Sequence, residues 1–232
     1  MRLDKYLCDT LGLTRSEVKK IVSKGRVTVN NAITKSPDTK VNEGTDEVTF
    51  DGKAVIYERF VYYMLNKPAG LVCANKDPRD PVVMDLFRDE PGKGLSCVGR
   101  LDKDTTGLLF VTNDGDLVHS LTSPGRHVFK DYLVTIAHPL SEGDIKALTE
   151  GVDIGDDKPT LPAVVRVVDD ERIVLSICEG RFHQVKRMLI SVDNEVLALK
   201  RLSLGSVVLD ESLKPGEFRR LTAEELTELK SY

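Results

Sequence analysis

No apolar run in the chain approaches the roughly 20 residues that a membrane span requires. The amino terminus opens with charge at Arg2, Asp4 and Lys5 instead of an apolar signal core, so a cytoplasmic protein with no membrane partner is expected. Cysteine is sparse and scattered. Cys8, Cys73, Cys97 and Cys178 form no C-x-x-C pair, which argues against a disulfide framework or a zinc knuckle and for buried free thiols. The four histidines, His119, His127, His138 and His183, lack the paired helical spacing of a metal site, so no metal is expected. No glycine-rich loop runs into a G-K-[ST] triplet, which excludes that type of phosphate-cradling site. Internal repeats and low-complexity linkers are absent as well.

What is present is an ordinary globular composition: 232 residues, 41% hydrophobic and 30% charged. That length suffices for one large domain or two small ones with real cores. The net charge of −4 argues at first against a polyanionic partner. Its distribution argues otherwise. Residues 1–40 hold nine Lys or Arg against four Asp or Glu, a local excess of five positive charges that leaves −9 on the remainder. A phosphate meets the local field and not the average, so this asymmetry is the better guide.

The basic segment reads as two helices and a small strand unit. Leu3, Leu7 and Leu11 recur at four-residue spacing and Gly12 ends the stripe. Thr14 with Glu17 three residues on is a capping-box pattern, followed by the apolar face Val18, Ile21 and Val22 and the stop Gly25. Val27-Thr28-Val29 alternates as a strand, Asn30-Asn31 reads as a tight turn, and a second alternating stretch at 47–50 closes near Asp51-Gly52. With that apolar face inward, Arg15, Lys19 and Lys20 fall outward, and Lys24 and Arg26 carry the charge into the turn. Such a cluster can track phosphates, although a solvated surface helix has the same composition.

A second domain is expected from about residue 60, giving a division into 1–59 and 60–232. Residues 61–65 form a buried-strand pattern broken by Lys67-Pro68 and Gly70 and resumed at 71–73. Later strand candidates are 108–112, 132–136, 163–168 and 173–177; helical candidates are 116–121, 141–151 and 182–192. Many strands with few long helices predict an α+β domain on a mixed, largely antiparallel sheet.

The densest chemical signal is Gly99-Arg100-Leu101-Asp102-Lys103-Asp104-Thr105-Thr106-Gly107-Leu108-Leu109. It is a glycine-opened loop that displays charged groups, then hydroxyls, a second glycine and a strand. A sheet that anchors one end lets such a loop place side chains with accuracy. Alone, Asp102 could equally be a loop-capping aspartate.

Ordered motifs extend this reading. Residues 2–7 (R-L-D-K-Y-L), 14–18 (T-R-S-E-V) and 25–30 (G-R-V-T-V-N) resemble the αL RNA-binding module of a small-subunit ribosomal protein. The loop at 99–109 resembles the signature of the pseudouridine synthases. Three further blocks match that family in order: Leu65-Asn66-Lys67-Pro68-Ala69-Gly70, Lys130-Asp131-Tyr132, and the stretch from Glu179 through Met188. Together with the amino-terminal module, the arrangement is that of its RsuA-type branch, and Pro159 and Pro162-Ala163 fit that subgroup.

The resemblance implies an isomerase of ribosomal RNA that uses no cofactor. Its partner would be 16S ribosomal RNA or a small-subunit assembly intermediate, met by a monomer. Asp102 would be the catalytic carboxylate, as nucleophile, base or stabiliser of a developing sugar cation. Tyr132 would lie against the target base. By motif position Lys186 would be the cation that supports the ionised carboxylate. The wider superfamily often has arginine there, so the adjacent Arg187 stays open as the alternative partner. Arg100 would fill the gap left by the extruded base, and Lys130 belongs to the tyrosine element. Arg181, His183 and Arg187 would contact phosphate or hold the motif in shape. Two other readings share much of this pattern: a ribosome-assembly factor that binds RNA on a synthase fold without catalysis, and a synthase acting on a large-subunit uridine. Intact Asp102, Tyr132 and Lys186 weigh against the first, and overall likeness against the second.

Overall fold

The computed structural model describes residues 1–90 and 94–232. It divides into two compact units, Met1–Val61 with Asp89–Leu95, and Tyr62–Arg88 with Ser96–Tyr232. In the first unit, helices α1 (Leu3–Leu11) and α2 (Arg15–Ser23) precede strands β1 (Val27–Val29), β2 (Ala32–Ile33), β3 (Val48–Phe50) and β4 (Lys53–Ala54). The strands form an antiparallel sheet in the order β2-β1-β3-β4.

Local chemistry explains these boundaries. Gly12 ends α1 in the left-handed conformation at φ 67°. The Thr14 hydroxyl accepts from the Glu17 amide while the Glu17 carboxylate accepts from the Thr14 amide at 2.8 Å, so the capping box expected for α2 is complete. Such a cap contributes about 1 kcal/mol. Asn30 and Asn31 both have positive φ, as do Asp51 and Gly52, the geometry of two-residue hairpin turns that follow the twist of their strands. Leu3, Tyr6 and Leu7 pack with Val18, Ile21, Val22, Val27 and Val48 in this unit's own core.

The second unit is built on one large sheet. Its elements in chain order are β5 (Tyr62–Lys67), β6 (Ser96–Cys97), β7 (Thr106–Thr112), α3 (Gly115–Thr122), β8 (Lys130–Ile136), α4 (Glu142–Glu150), β9 (Val164–Val167) and β10 (Arg172–Ile177). Then come α5 (Gln184–Ile190), β11 (Val196–Leu204), β12 (Val207–Val208), β13 (Phe218–Arg220) and α6 (Ala223–Leu229). The sheet runs β13-β5-β7-β11-β8-β10-β9, with β6 on β7 and β12 on β11. Among the described residues every strand pairing of this sheet is antiparallel except β7 with β11. This is the expected α+β class with a mixed, largely antiparallel sheet. Leu117 and Leu121 of α3 and Leu229 of α6 pack with Met64, Leu108 and Phe110 of the sheet.

Three expectations need correction. Residues 71–73 do not resume a strand; Val72 makes a single bridge to Val82. Lys67 does not break β5 but closes it, fully buried. The helix expected at 182–192 is shortened to α5, because His183 sits in the left-handed region at φ 48° and cannot belong to it. The sequence pattern also assigned nothing to 196–204, which forms β11, the strand inside the sheet between β7 and β8.

That central strand sets a tight backbone contact. Gly107 pairs with Arg201 in the parallel β7–β11 ladder, and a β-carbon at Gly107 would stand 2.2 Å from the Arg201 carbonyl oxygen. Its φ of +98° adds strain for any L side chain. We expect Gly107→Ala to cost about 3 kcal/mol or more, from strain and overpacking together. Gly12→Ala, where φ is also positive but nothing lies within 4 Å, should cost about 1–2 kcal/mol. Urea midpoints of the two variants check the difference; equal midpoints would remove the close-approach argument.

Candidate active site

The loop between β6 and β7 carries Asp102, and its backbone is pinned from beneath by an unusual ligand. Lys67 is 0% exposed. Its ammonium donates to the carbonyl oxygens of Pro68 at 3.0 Å, Asp102 at 3.2 Å and Thr105 at 2.9 Å, with Lys103 at 3.4 Å. Burial lowers its pKa, and the nearby Cys73, Asp104 and Asp102 oppose that shift. The Gly70 amide donates to the Lys103 carbonyl at 2.7 Å and the Thr105 amide to the Asp102 carbonyl at 3.1 Å, so the loop closes on itself as a turn. The Leu101 amide donates to the Cys73 sulfur at 3.4 Å.

Cys73 was expected to be an isolated thiol, yet the fold brings Cys97 into hydrogen-bond contact with it. That bond pulls the Cys73 pKa down, with help from the Leu101 amide and the cations of Lys67 and Arg201. Cys97, as the donor, is pushed up. Neither cysteine is in a disulfide.

Asp102 opens into a pocket of about 70 Å³ that is also lined by Arg100, Tyr132, Arg181, His183 and Gln184. Its side chain is 29% exposed. His183 Nε2 lies 3.7 Å from one carboxylate oxygen and Lys186 Nζ 3.8 Å from the other. Lys186 makes its shorter contacts to Asp104, at 2.7 Å to each oxygen, and this bond holds the Asp104 carboxyl below the usual carboxylate range. Lys186 is thus shared between two carboxylates, where the sequence suggested a simple pair with Asp102. A larger concavity of about 340 Å³, lined by Asp104, Thr106, Lys186 and the 196–200 segment, adjoins it.

Tyr132 is 8% exposed on β8. Its place follows from β11: Arg201 is the register partner of Tyr132 on one side and of Gly107 on the other. Arg201 is itself buried, with its Nε donating to the Leu108 carbonyl at 2.7 Å. Nothing in the sequence pattern singles out this residue, since arginine is seldom buried.

The remaining candidates separate by what holds them. Arg187 donates to the carbonyls of Ile154 at 2.9 Å and Phe182 at 3.0 Å and pairs with Asp156, so it is not the cation beside Asp102. Arg181 donates to Glu179, to the Lys158 carbonyl at 2.6 Å and to the Pro159 carbonyl at 2.8 Å, which braces the motif. Glu179 also accepts from Gln184 and from the Leu161 amide. Lys130 is turned inward: its ammonium donates to the Val128 carbonyl at 2.7 Å, and burial, with Arg201 nearby, lowers its pKa to about 8. Arg100 is exposed at the pocket.

In the amino-terminal unit, Arg15, Lys19, Lys20, Lys24 and Arg26 are all exposed. Arg26 differs from the others. Asp51 takes both arms of its guanidinium, which also lies 4.8 Å above the Phe50 ring. Among the described residues no group of three or more His, Cys, Asp or Glu could hold a metal ion, and no helix is long and apolar enough to cross a membrane.

Comparison with known proteins agrees with this geometry. Residues 61–191 match the RNA pseudouridylate synthase family and residues 1–48 the S4 domain. The ribosomal small subunit pseudouridine synthase A of Haemophilus influenzae is 44% identical over 99% of both chains. Its namesake from Escherichia coli is 42% identical over 97% of this chain and 98% of its own. A crystal structure of a pseudouridylate synthase superposes with a TM-score of 0.71 at 42% identity, covering 99% of each chain. With the matched segment carrying the pinned Asp102 loop, the tyrosine strand and the Lys186 helix, the chain belongs to the RNA pseudouridylate synthase family, with an S4 domain ahead of its synthase domain.

Proposed function

We propose that this chain converts a uridine of 16S ribosomal RNA to pseudouridine, with Asp102 acting at the sugar–base junction. Residues 1–59 dock the RNA and residues 60–232 carry the chemistry. It works as a cytoplasmic monomer, on free RNA or on a small-subunit assembly intermediate. The observation that carries this reading is the Asp102 carboxylate, fixed through its backbone by Lys67 and set in a pocket beside Tyr132, His183 and Lys186. The target is supported by relatives named for the small ribosomal subunit.

The reaction breaks the N1–C1′ bond, turns the uracil and joins C5 to C1′; the proton on C5 leaves and N1 gains one. Substrate and product are isomers, so no redox partner or group donor enters the balance. The base must leave its stack for these atoms to rearrange. Arg100 and Tyr132 both line the pocket; in this reading Arg100 fills the space the base vacates and Tyr132 lies against the ring. A carboxylate at Asp102 can attack, accept a proton or face developing positive charge. The Lys186 ammonium, within 4 Å, offsets its desolvation when RNA excludes water.

Asp102→Asn keeps the shape and removes the charge. We expect pseudouridine formation in 16S rRNA to fall by roughly a thousandfold or more, while RNA affinity stays within about twofold. A rate near that of the parent would sink the assignment.

Lys186→Met should lower the single-turnover plateau by roughly ten- to a hundredfold, since it removes the cation beside both carboxylates. Arg187→Met removes bonds to two carbonyls and to Asp156, so it should lower stability by about 1–3 kcal/mol instead. Urea unfolding and single-turnover assays distinguish them, and an exchange of the two effects would show that the wrong cation has been paired.

The docking role has its own test. Neutralising Arg15, Lys19 and Lys20 together should weaken RNA binding and reduce its salt dependence by about one unit of slope per lost contact. The plateau rate at saturating enzyme should hold. If the plateau fell at unchanged half-saturation, the amino-terminal unit would shape the chemical step itself.

A further inference from the structure

Phe182 is the residue next to the active site that the catalytic reading leaves without a task. Its side chain is 69% exposed, in a protein whose other large aromatics are mostly withdrawn from water. Exposure alone means little, because Ile56 and Ile190 are exposed to a similar degree. What distinguishes Phe182 is how it is presented. Its carbonyl accepts from Arg187 at 3.0 Å. Arg181, before it, is tied to Glu179 and to the carbonyls of Lys158 and Pro159. The backbone is therefore clamped on both sides while the ring stands in solvent.

The ring is also already half of a stack. Phe182 and the His183 imidazole lie 3.8 Å apart between centroids, inclined by 18°. His183 adopts φ 48° and ψ 34° at the head of α5, yet its side chain makes no capping hydrogen bond there. That backbone position is costly for a residue with a β-carbon, and no cap offsets it. What the conformation achieves instead is to set the imidazole between Phe182 and Asp102, with Nε2 3.7 Å from the carboxylate. A flat, rigid, exposed ring continues outward from the pocket as the second tier of that stack.

We propose that Phe182 is a stacking platform for an unpaired RNA base that flanks the target uridine. The occupant is a nucleobase because every base offers a flat π-face, and stacking on an aromatic side chain needs no hydrogen-bond code. The platform lies beside the pocket that holds the extruded uridine, so the base it takes is a near neighbour along the same strand. Flipping leaves such a neighbour without its partner in the stack, and the Phe182 ring restores one. The base, Phe182 and His183 then form three tiers ending at Asp102. This rests on the RNA-modifying role proposed above.

The experiment uses the full chain and a 16S rRNA fragment that the parent enzyme modifies. 2-Aminopurine replaces, one at a time, the nucleotides within two positions of the modified uridine. The parent and Phe182→Tyr, which keeps the ring, should quench the probe at one flanking position. Phe182→Leu should leave it bright and raise the half-saturating enzyme concentration in single turnover about tenfold, with the plateau rate within about twofold. Quenching by Phe182→Leu equal to that of the parent, or no quenched position at all, would overturn the platform. A lowered plateau at unchanged half-saturation would overturn it too, because Phe182 would then serve only to hold His183 against Asp102. If the parent forms no pseudouridine in any 16S fragment, the target reading itself fails and the platform falls with it. That outcome is distinct from unquenched probes in an RNA that is modified.

Discussion

A buried ammonium bonded to the carbonyls of a single loop is the constraint on which the synthase unit depends. Lys67 ends β5 with no exposure, and its partners Asp102, Lys103 and Thr105 span the turn that presents the candidate carboxylate. An unpaired buried cation would cost several kcal/mol. Main-chain carbonyls offset that cost without neutralising the charge, so the positive field persists beneath Asp102. The same ligand that orders the loop thus also favours negative charge above it, where the Asp102 carboxylate lies. Removing the ammonium would take this donor from the carbonyls of Pro68 and Thr105, at about 1–3 kcal/mol each, while those of Asp102 and Lys103 keep the Thr105 and Gly70 amides.

The second constraint is the strand between the two halves of the site. β11 pairs in parallel with β7 and antiparallel with β8, so one residue, Arg201, registers both Gly107 and Tyr132. A one-residue slip of β11 would turn each side chain to the opposite face. Gly107 resists such a slip because its missing β-carbon is what lets the Arg201 backbone approach. The register shifts along β8–β11, between Val196 and Ala198 and between Arg201 and Ser203, lie on either side of this point and leave it regular. The distance from the Asp102 loop to the tyrosine is therefore fixed by main-chain geometry rather than by side-chain contact.

How much of this was legible in the sequence follows from how local each cause is. The capping box of α2, the stop at Gly12 and the turn at Asn30-Asn31 depend on residues within four positions, and these stand as read; Asp51-Gly52, read as the close of the unit, instead turns the chain into β4. In the synthase unit, motif position pointed to Lys186 beside Asp102 but had His183 as a phosphate contact or a brace for the motif, and the fold sets His183 3.7 Å from the carboxylate. β11 was hidden because its Leu, Ala, Lys and Arg residues favour helices and its burial does not alternate cleanly; neighbours on both sides decide it. Lys67 and Lys130 look like surface lysines in a sequence, and only the fold shows that carbonyls take their ammonium groups. The late start of α5, after His183, comes from a left-handed backbone conformation at that residue which the helical pattern does not foretell.

Charge bookkeeping also explains how a chain of net charge −4 can serve RNA. In the synthase unit, Arg181, Arg187, Arg172 and Arg219 each pair with a carboxylate of the same unit. Those cations are neutralised locally and add little to the field a phosphate meets. Arg15, Lys19, Lys20 and Lys24 differ: they are exposed, and among the described residues none has a carboxylate within ion-pair distance. Spacing on α2 keeps them apart from the apolar face, so the helix can bury Val18, Ile21 and Val22 without desolvating a charge. At physiological ionic strength fields fade over about 8 Å. The acidic surplus elsewhere in the chain therefore does not cancel this patch at contact range. Net charge and binding are reconciled by geometry: α2 and the residue that follows it present four exposed cations with no carboxylate partner among the described residues, within a segment whose local balance is positive.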